Sequence, residues 1–236
     1  MSPEKFYCPK VVDELSNREL LCTEFVEGVE IDTLMNESQE VRDRVGSLMI
    51  ELCFRELFEW KMMQTDPNPA NYLYNKHTGV LNLIDFGAGR DYGTEFLGNY
   101  LEIIHGAYTQ DRAKVMSNSL AMKMLTGEEN REMEEAHYTG VLIVGEPFRT
   151  SHPDELYDFA AAGFTEKVTK LLPTMSKHRL TPPPQEIYSL HKKVVGAYLM
   201  CIKLRAKVPA RRIFEETYEN WQRIERGEPL IQRRDY

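Results

Sequence analysis

The residues after Glu95 carry apolar side chains at helical spacing with few interruptions, and this pattern constrains the fold more than any other feature of the chain. Apolar residues that recur every three to four positions are typical of helices with one buried face. Asp111 and Thr165 are predicted to cap two of these helices. The predicted helices cover residues 95–109, 112–125, 129–144, 165–178, 185–206 and 210–222.

The residues before this helical body predict two small hairpins separated by one long helix. Residues 11–26 hold two short apolar runs around a polar turn, which favours an antiparallel hairpin. Residues 38–63 have helical periodicity, and Ser38 can cap their first turn. A second hairpin is predicted to pair residues 72–74 with residues 80–84. The expected fold class is α+β and mainly helical, in one globular unit.

Composition limits the classes of partner. The chain has 236 residues, of which 42% are hydrophobic, and this is enough to bury one core. Its net charge of −8 argues against a nucleic-acid partner, although residues 223–234 could form a local basic patch. No apolar run approaches the length that spans a bilayer, and residues 1–10 show no targeting pattern.

Cysteine and histidine spacing indicates neither disulfides nor zinc. The four cysteines are not paired in spacing and form no grouping with the six histidines, so reduced thiols are predicted. Arg90 is predicted to pair with an acidic side chain, and contact with a phosphate is the alternative. A stripe of apolar and aromatic residues is predicted to belong to the core rather than to a lipid slot. The stripe consists of Tyr100, Leu101, Ile104 and Tyr108.

The stretch that carries chemistry begins at Asp66, inside an Asp-Pro-Asn-Pro loop. Asn71 follows Asp66 by five positions, and Asp85 follows Asn71 by fourteen and begins an Asp-Phe-Gly sequence. The same order, with a hairpin between the two loops, is typical of the catalytic loop and the metal loop of protein kinases. Each motif alone is common in turns, but the three at these separations seldom occur together by chance.

Phosphoryl transfer explains why these residue types are needed at this spacing. The reaction requires magnesium ions that bridge the phosphates and a group that orients the attacking hydroxyl. Magnesium prefers hard oxygen ligands, so Asp85 and Asn71 are the predicted metal ligands. Asp66 is the predicted catalytic residue, which orients the acceptor hydroxyl. The predicted cofactors are therefore ATP and Mg²⁺.

A short segment before the long helix is predicted to be the adenine-binding connection. Residues 23–28 lie where a kinase joins its two lobes. The carbonyl of Glu24 and the amide and carbonyl of Val26 would then face adenine. An ordinary strand end is the alternative interpretation of this segment.

Through these motifs, the chain resembles the UbiB/ADCK (aarF-domain) family of atypical kinases. The likeness covers residues 7–221, and its downstream segments are more specific than the two loops. The segments that carry the likeness are residues 64–71, 83–88, 124–127, 178–184 and 188–191.

The resemblance implies a protein-kinase-like C-lobe with a modified, all-helical extension. It implies that Asp66, Asn71 and Asp85 take the family's catalytic and metal roles, and that Glu24 and Val26 take its adenine-binding role. The complete protein would be an ATP-dependent kinase or ATPase that supports ubiquinone (coenzyme Q) biosynthesis. Its implied partners are quinone-lipid precursors and other coenzyme Q biosynthesis proteins, with peripheral membrane association at the matrix side of the mitochondrial inner membrane.

The chain departs from the family pattern at its N-terminus. It begins near the fourth strand of a kinase, so the nucleotide-covering loop, the strand lysine, the family's Lys-x-Gly-Gln segment and a targeting segment are not part of it. An N-terminally truncated form with the N-lobe largely missing is therefore expected. The expected division is residues 1–28 as the end of the N-lobe and the hinge, residues 29–222 as the C-lobe, and residues 223–236 as a basic tail.

Two further functions remain open from the sequence. A catalytically inactive, pseudokinase-like fragment or scaffold is compatible with the missing N-lobe. A small-molecule phosphotransferase of the aminoglycoside or choline type would share the spacing of Asp66, Asn71 and Asp85. The segments at residues 124–127 and 178–191 argue against this second alternative.

Overall fold

The long helix begins at the cap that the sequence predicts, and it ends earlier than expected. The computed structural model describes residues 5–236 and places helix α1 at Gln39–Phe58. The Ser38 hydroxyl accepts the Val41 N–H at 3.4 Å, which confirms the predicted cap. The prediction that the helix reaches residue 63 is wrong, because Lys61 turns to a left-handed φ of 56° and Met62–Gln64 continues as a strand.

Within residues 5–236, eight short strands form three small sheets. Strand order in the four-stranded sheet is β1-β5-β4-β2, and β1 alone runs parallel to its neighbour. Strands β3 and β6 pair, and β7 pairs with β8. The strands are β1 (Phe6–Tyr7), β2 (Val29–Glu30), β3 (Met62–Gln64), β4 (Tyr72–Tyr74), β5 (Leu81–Leu83), β6 (Gly89–Asp91), β7 (Tyr157–Asp158) and β8 (Lys207–Val208).

The two predicted hairpins have different outcomes. The second is confirmed, since β4 and β5 are antiparallel with Tyr72 opposite Leu83. In residues 11–26 the two arms face each other through one bridge between Val11 and Thr23, so the pairing is right and the strands are not. The Ser16 hydroxyl accepts the Cys22 N–H at 2.9 Å and thereby replaces a rung of the ladder.

The predicted helical body is present, with shifts at several ends. The Asp111 carboxylate accepts the Lys114 N–H at 3.0 Å, which confirms that cap. The Thr165 cap is wrong, because Gly163, at a φ of 67°, holds the N-cap position and Thr165 lies inside the helix. The strands β7 and β8 lie between helices of this body, and the sequence did not predict them. The helices are α2 (Thr94–Thr109), α3 (Arg112–Ala121), α4 (Arg131–Val144), α5 (Phe164–His178), α6 (Gln185–Leu204) and α7 (Ala210–Arg226).

The core forms where α1 packs against α6 and α7. Gly46 in α1 makes the close approach possible, since a Cβ there would lie 2.5 Å from the Cβ of Ala206. Three of the four residues in the predicted α2 stripe, Tyr100, Leu101 and Ile104, are buried in the core. Tyr100 and Ile104 also line an apolar cavity between the helices. The fold is therefore the predicted mainly helical α+β arrangement.

The C-terminal residues fold back onto α1. Arg233 is largely buried, and its guanidinium lies 2.6 Å from the Glu59 carboxylate. The ammonium of Lys5 lies over the Tyr236 ring at 4.2 Å and 2.9 Å from Glu51. Arg233 is thus a structural ion-pair partner rather than part of a free basic patch. Among the helices of residues 5–236, none combines the length and the apolarity needed to cross a bilayer.

Candidate nucleotide site

The side chain of Gln64 holds the two predicted loops together. Its amide group donates to the Asp85 carbonyl oxygen at 2.9 Å, and its carbonyl oxygen accepts the Asp66 N–H at 3.2 Å. Because one carboxamide contacts both backbones, the Asp66 nitrogen and the Asp85 carbonyl oxygen lie less than about 9 Å apart. Gln64 is buried, so the bridge is shielded from competing water.

Backbone pairing reinforces this bridge. Strand β3 is antiparallel to β6, with Gln64 opposite Gly89. Thr65 donates to the Ala88 carbonyl through its backbone N–H at 3.0 Å and through its hydroxyl at 2.9 Å. The Asp66 loop, which follows β3, and the Asp85 loop, which follows β5, are therefore fixed to each other along several residues.

Asn71 closes the Asp66 loop. Its side-chain amide donates to the Asp66 backbone carbonyl at 3.2 Å and lies 3.5 Å from the Asp66 carboxylate. Within residues 5–236 no group donates to the Asn71 side-chain oxygen, although Asn71 is 6% exposed. The amide contacts thus leave an oxygen of Asn71 available as a ligand.

Asp85 lies at the exposed edge of the same site. Its carboxylate accepts the Gly87 N–H at 2.7 Å, which fixes one oxygen within the Asp-Phe-Gly turn. A Cβ at Gly87 would lie 3.2 Å from that oxygen, so a glycine suits this close approach. The carboxylate is solvent-accessible and can accept a further ligand through its other oxygen.

Helix α6 forms the floor under the Asp66 loop. Gly196 packs directly against Pro67, since a Cβ at Gly196 would lie 2.4 Å from the proline Cβ. One turn earlier, the Lys192 ammonium is 3.8 Å from the Asp66 carboxylate. Within the described part of the chain, Asp66 forms this ion pair with Lys192, and Asp85 forms none.

A buried ion pair supports the site from below. The Lys193 ammonium contacts the Glu56 carboxylate at 2.6 Å and donates to the Tyr72 hydroxyl at 2.9 Å. Burial disfavours the charged ammonium, but the Glu56 carboxylate, together with Tyr72 and Cys53, outweighs burial and raises the pKa of Lys193. Lys193 is therefore charged at neutral pH and ties α6 to α1 and to the start of β4.

The predicted adenine-binding connection is held at its two ends. The Glu24 carboxylate accepts the Tyr7 hydroxyl and the Lys10 N–H, and these bonds lower the pKa of Glu24. Asn82 in β5 donates to the Glu27 carbonyl at 3.1 Å. Between these anchors, the backbone N–H and C=O of Val26 have no partner within residues 5–236. The Val26 backbone groups are thus available to a ligand.

The predicted ion pair of Arg90 is confirmed, since its guanidinium is 2.9 Å from the Glu186 carboxylate at the start of α6.

Sequence reasoning missed four residues of the site, which are Gln64, Lys192, Lys193 and Gly196. The four missed residues gave no local signal beyond the position of Gln64 next to the Asp66 loop. The other three lie on α6, where helical periodicity does not reveal which residues meet a distant loop.

The hairpins, the two loops and the helical body define a protein-kinase-like α+β fold. The chain belongs to the ABC1 atypical kinase-like domain family, because the model of that family matches residues 1–119. The resemblance seen in the sequence motifs is therefore confirmed.

Relatives extend the similarity over most of the chain. Atypical kinase COQ8B, mitochondrial, of Danio rerio is 43% identical over 92% of this chain and 34% of the relative. Atypical kinase coq-8, mitochondrial, of Caenorhabditis elegans is 46% identical over 91% of this chain and 29% of the relative. The chain thus spans about a third of the length of these relatives.

A solved structure shares the fold. The Rv3197 protein of Mycobacterium tuberculosis, determined in complex with erythromycin, matches with a TM-score of 0.67. The match covers 92% of this chain and 53% of that protein, at 19% identity. At this identity the likeness bears on the fold alone.

Proposed function

We propose that this chain is the Mg-ATP-binding C-lobe of an atypical kinase or ATPase. The observation that carries the proposal is the Gln64 bridge, which joins the backbone of Asp66 to that of Asp85. Two carboxylates and a free amide oxygen then lie on loops that are fixed to each other. This set of hard oxygen donors fits magnesium, which prefers such ligands and keeps several waters.

Each side chain has a distinct role in the proposal. Asp85 and the free oxygen of Asn71 would hold Mg²⁺, which when bound neutralises charge on the nucleotide phosphates. Asp66 would accept a hydrogen bond from the attacking hydroxyl or water and orient it. The Lys192 ammonium, 3.8 Å from Asp66, would add positive charge on the phosphate side of the site.

The adenine would bind at the connection between Glu24 and Val26. The two backbone groups of Val26 would pair with one donor and one acceptor on the adenine edge. The Glu24 carbonyl would supply a second acceptor. Support comes from the unpartnered Val26 backbone and from the anchors at Tyr7 and Asn82 on either side.

The cellular role follows the relatives. They are named atypical kinases and mitochondrial, and this supports a role in the mitochondrion. Coenzyme Q biosynthesis is the proposed role, and the matrix side of the inner membrane is the proposed location. Quinone-lipid precursors and other coenzyme Q biosynthesis proteins are the proposed partners. Peripheral membrane association is part of the same proposal.

Nucleotide binding by the Asp85→Asn variant tests the proposal. The substitution keeps the side-chain shape and removes the charge, so we expect Mg-ATP affinity to fall at least tenfold in isothermal titration calorimetry. Asp91→Asn is the matched control, since Asp91 is an exposed acid on β6 without an ion-pair partner in residues 5–236, and its affinity should stay within twofold. Equal affinity for wild type and Asp85→Asn would refute the site.

A non-catalytic binding module is the second candidate. The contacts of Lys5 favour the binding module. The Lys5 ammonium is bound to Glu51 and to the Arg234 carbonyl rather than to the nucleotide loops. Single-turnover hydrolysis of labelled ATP distinguishes the two functions. Magnesium-dependent binding without hydrolysis by this chain supports the module, and hydrolysis that Asp66→Asn abolishes supports the enzyme.

A further inference from the structure

A cavity lies inside the helical body, apart from the nucleotide loops. It has a volume of about 200 Å³ and is enclosed by α2, α4, α5 and α6. Its wall is mainly aliphatic and contains no residue of the Asp66 or Asp85 loop. The aliphatic wall includes Ile103, Ile104, Val141, Val168, Leu171 and Val194. Cavities of about 150 Å³ already admit a benzene-sized ligand, so this volume can receive a short apolar chain.

One cation is built into the wall of this cavity. Arg179 follows α5, and its Nη1 atom is buried without a hydrogen-bond partner in residues 5–236. Burial lowers the pKa of Arg179, but an arginine remains charged at neutral pH. A buried guanidinium nitrogen without an acceptor is costly, so an anionic ligand would relieve that cost.

The other titratable groups that line the cavity do not form an ion pair with Arg179. Burial and the Arg179 charge lower the pKa of both His137 and His191 to about 4, so both rings are neutral at pH 7. The wall contains no acidic side chain. Glu129 is the acid that acts on Arg179, and its carboxylate already accepts the N–H groups of Thr126 and Gly127 at 2.7 and 2.9 Å.

We propose that this cavity binds a medium-chain carboxylate, with the carboxylate on Arg179 and the alkyl chain between the four helices. A single cation in an apolar wall matches a monoanion with an apolar tail. The planar guanidinium can bind both oxygens of a carboxylate. A phosphate dianion would need a second cation, which the wall does not offer. The proposal stands independently of nucleotide binding.

Gly140 in α4 provides a way to close the cavity. A Cβ at this position would approach the Met175 Cε atom at 3.1 Å and the Leu171 Cδ1 atom at 3.6 Å. Both atoms are the ends of flexible side chains, and leucine favours a helix more than glycine does. Gly140→Leu should therefore fill part of the cavity in a folded protein.

Calorimetric titration of the chain with decanoate and with decanol tests the proposal. Both probes have the same tail length, and they are used below their micelle or solubility limits. Decanoate should bind at least tenfold tighter than decanol, since only the carboxylate can pair with Arg179. Equal affinities, or no binding of decanoate, would overturn the assignment.

Three variants and one substitute locate the binding. Arg179→Met should weaken decanoate at least tenfold and leave decanol within twofold. Lys177→Met removes the same charge from the exposed side of the helix end and should change neither affinity. Gly140→Leu should weaken both probes at least tenfold, and Val141→Phe replaces it if thermal unfolding shows that the first variant does not fold. Unchanged decanoate binding by Arg179→Met would refute the site.

Discussion

At the residue scale, Gln64 shows how one buried polar side chain can assemble a site. Its carboxamide has one acceptor and one donor group, and it uses one on each loop. An apolar residue of similar size could fill the space but could make neither bond. The registration of Asp66 against Asp85 therefore depends on the chemistry of this residue more than on its volume.

Replacement of Gln64 by leucine tests this role. Gln64→Leu should lower Mg-ATP affinity at least tenfold, because the Asp66 and Asp85 loops lose their bridge. It should also lower the free energy of unfolding by about 1 kcal/mol, since two partly buried hydrogen bonds are lost. Titration calorimetry and urea unfolding measure the two effects. The exposed Gln232→Leu serves as control, and normal nucleotide affinity of Gln64→Leu would argue against the bridge.

At the element scale, α6 connects the two sites of the molecule. Lys192, Lys193 and Gly196 face the nucleotide loops or their support, and His191 and Val194 line the apolar cavity. Adjacent positions on one helix thus contact different parts of the molecule because successive side chains point in different directions. The helical periodicity that predicts α6 reports its buried stripe and is silent about this division.

Gly196→Ala probes the contact between α6 and the Asp66 loop. Alanine usually stabilises a helix by up to about 1 kcal/mol relative to glycine. Here its Cβ would lie 2.4 Å from the rigid ring of Pro67, so the loop must move and overpacking should cost about 1–3 kcal/mol. We expect lower thermal stability together with weaker Mg-ATP binding.

Gly98→Ala in α2 is the matched control for this substitution. The new Cβ would meet the Trp221 ring at 3.4 Å, an ordinary contact, so stability should stay equal or rise. Gly196→Ala with full stability and full affinity would contradict the packing argument.

At the scale of the whole molecule, Lys5 and the C-terminal residues are joined to the α1 region by ion pairs and hydrogen bonds. Arg233 binds Glu59 at 2.6 Å, and Lys5 binds both Glu51 and the Arg234 carbonyl. Burial disfavours the charged Glu59, but Arg233, together with Arg55 and Asn220, outweighs burial and lowers the pKa of Glu59. A depressed carboxyl pKa contributes stability above the unfolded value of 4.5, and this contribution is lost as the pH falls through the folded-state pKa.

Arg233→Met should therefore reduce both stability and its dependence on acid. Removal of one partner leaves buried carboxylates uncompensated, so the free energy of unfolding at pH 7 should fall by about 3–5 kcal/mol. Between pH 5 and pH 3 the wild type should lose stability more steeply than the variant. Urea unfolding across this range measures both effects. Arg226→Met, which removes an exposed pair with Glu228, should change neither quantity appreciably, and parallel pH profiles for wild type and Arg233→Met would disprove the account.

Much of the site could be predicted because its elements are local in sequence. The Ser38 cap, the β4–β5 hairpin and the order of Asp66, Asn71 and Asp85 depend on neighbouring residues. Strand β3 was missed because Met62 and Met63 continue the apolar pattern of α1, and only pairing with β6 makes them part of a strand.

The sequence alone determined most of the helices, the β4–β5 hairpin, the kinase-like order of motifs and the candidate ligands, because spacing along the chain encodes each of them. Only the tertiary structure decided that Gln64 bridges the loops, that Gly196 receives Pro67, that Arg233 is buried and that Arg179 faces an apolar cavity. These contacts join residues far apart in the chain. Their geometry follows from how whole elements pack, which local periodicity does not specify.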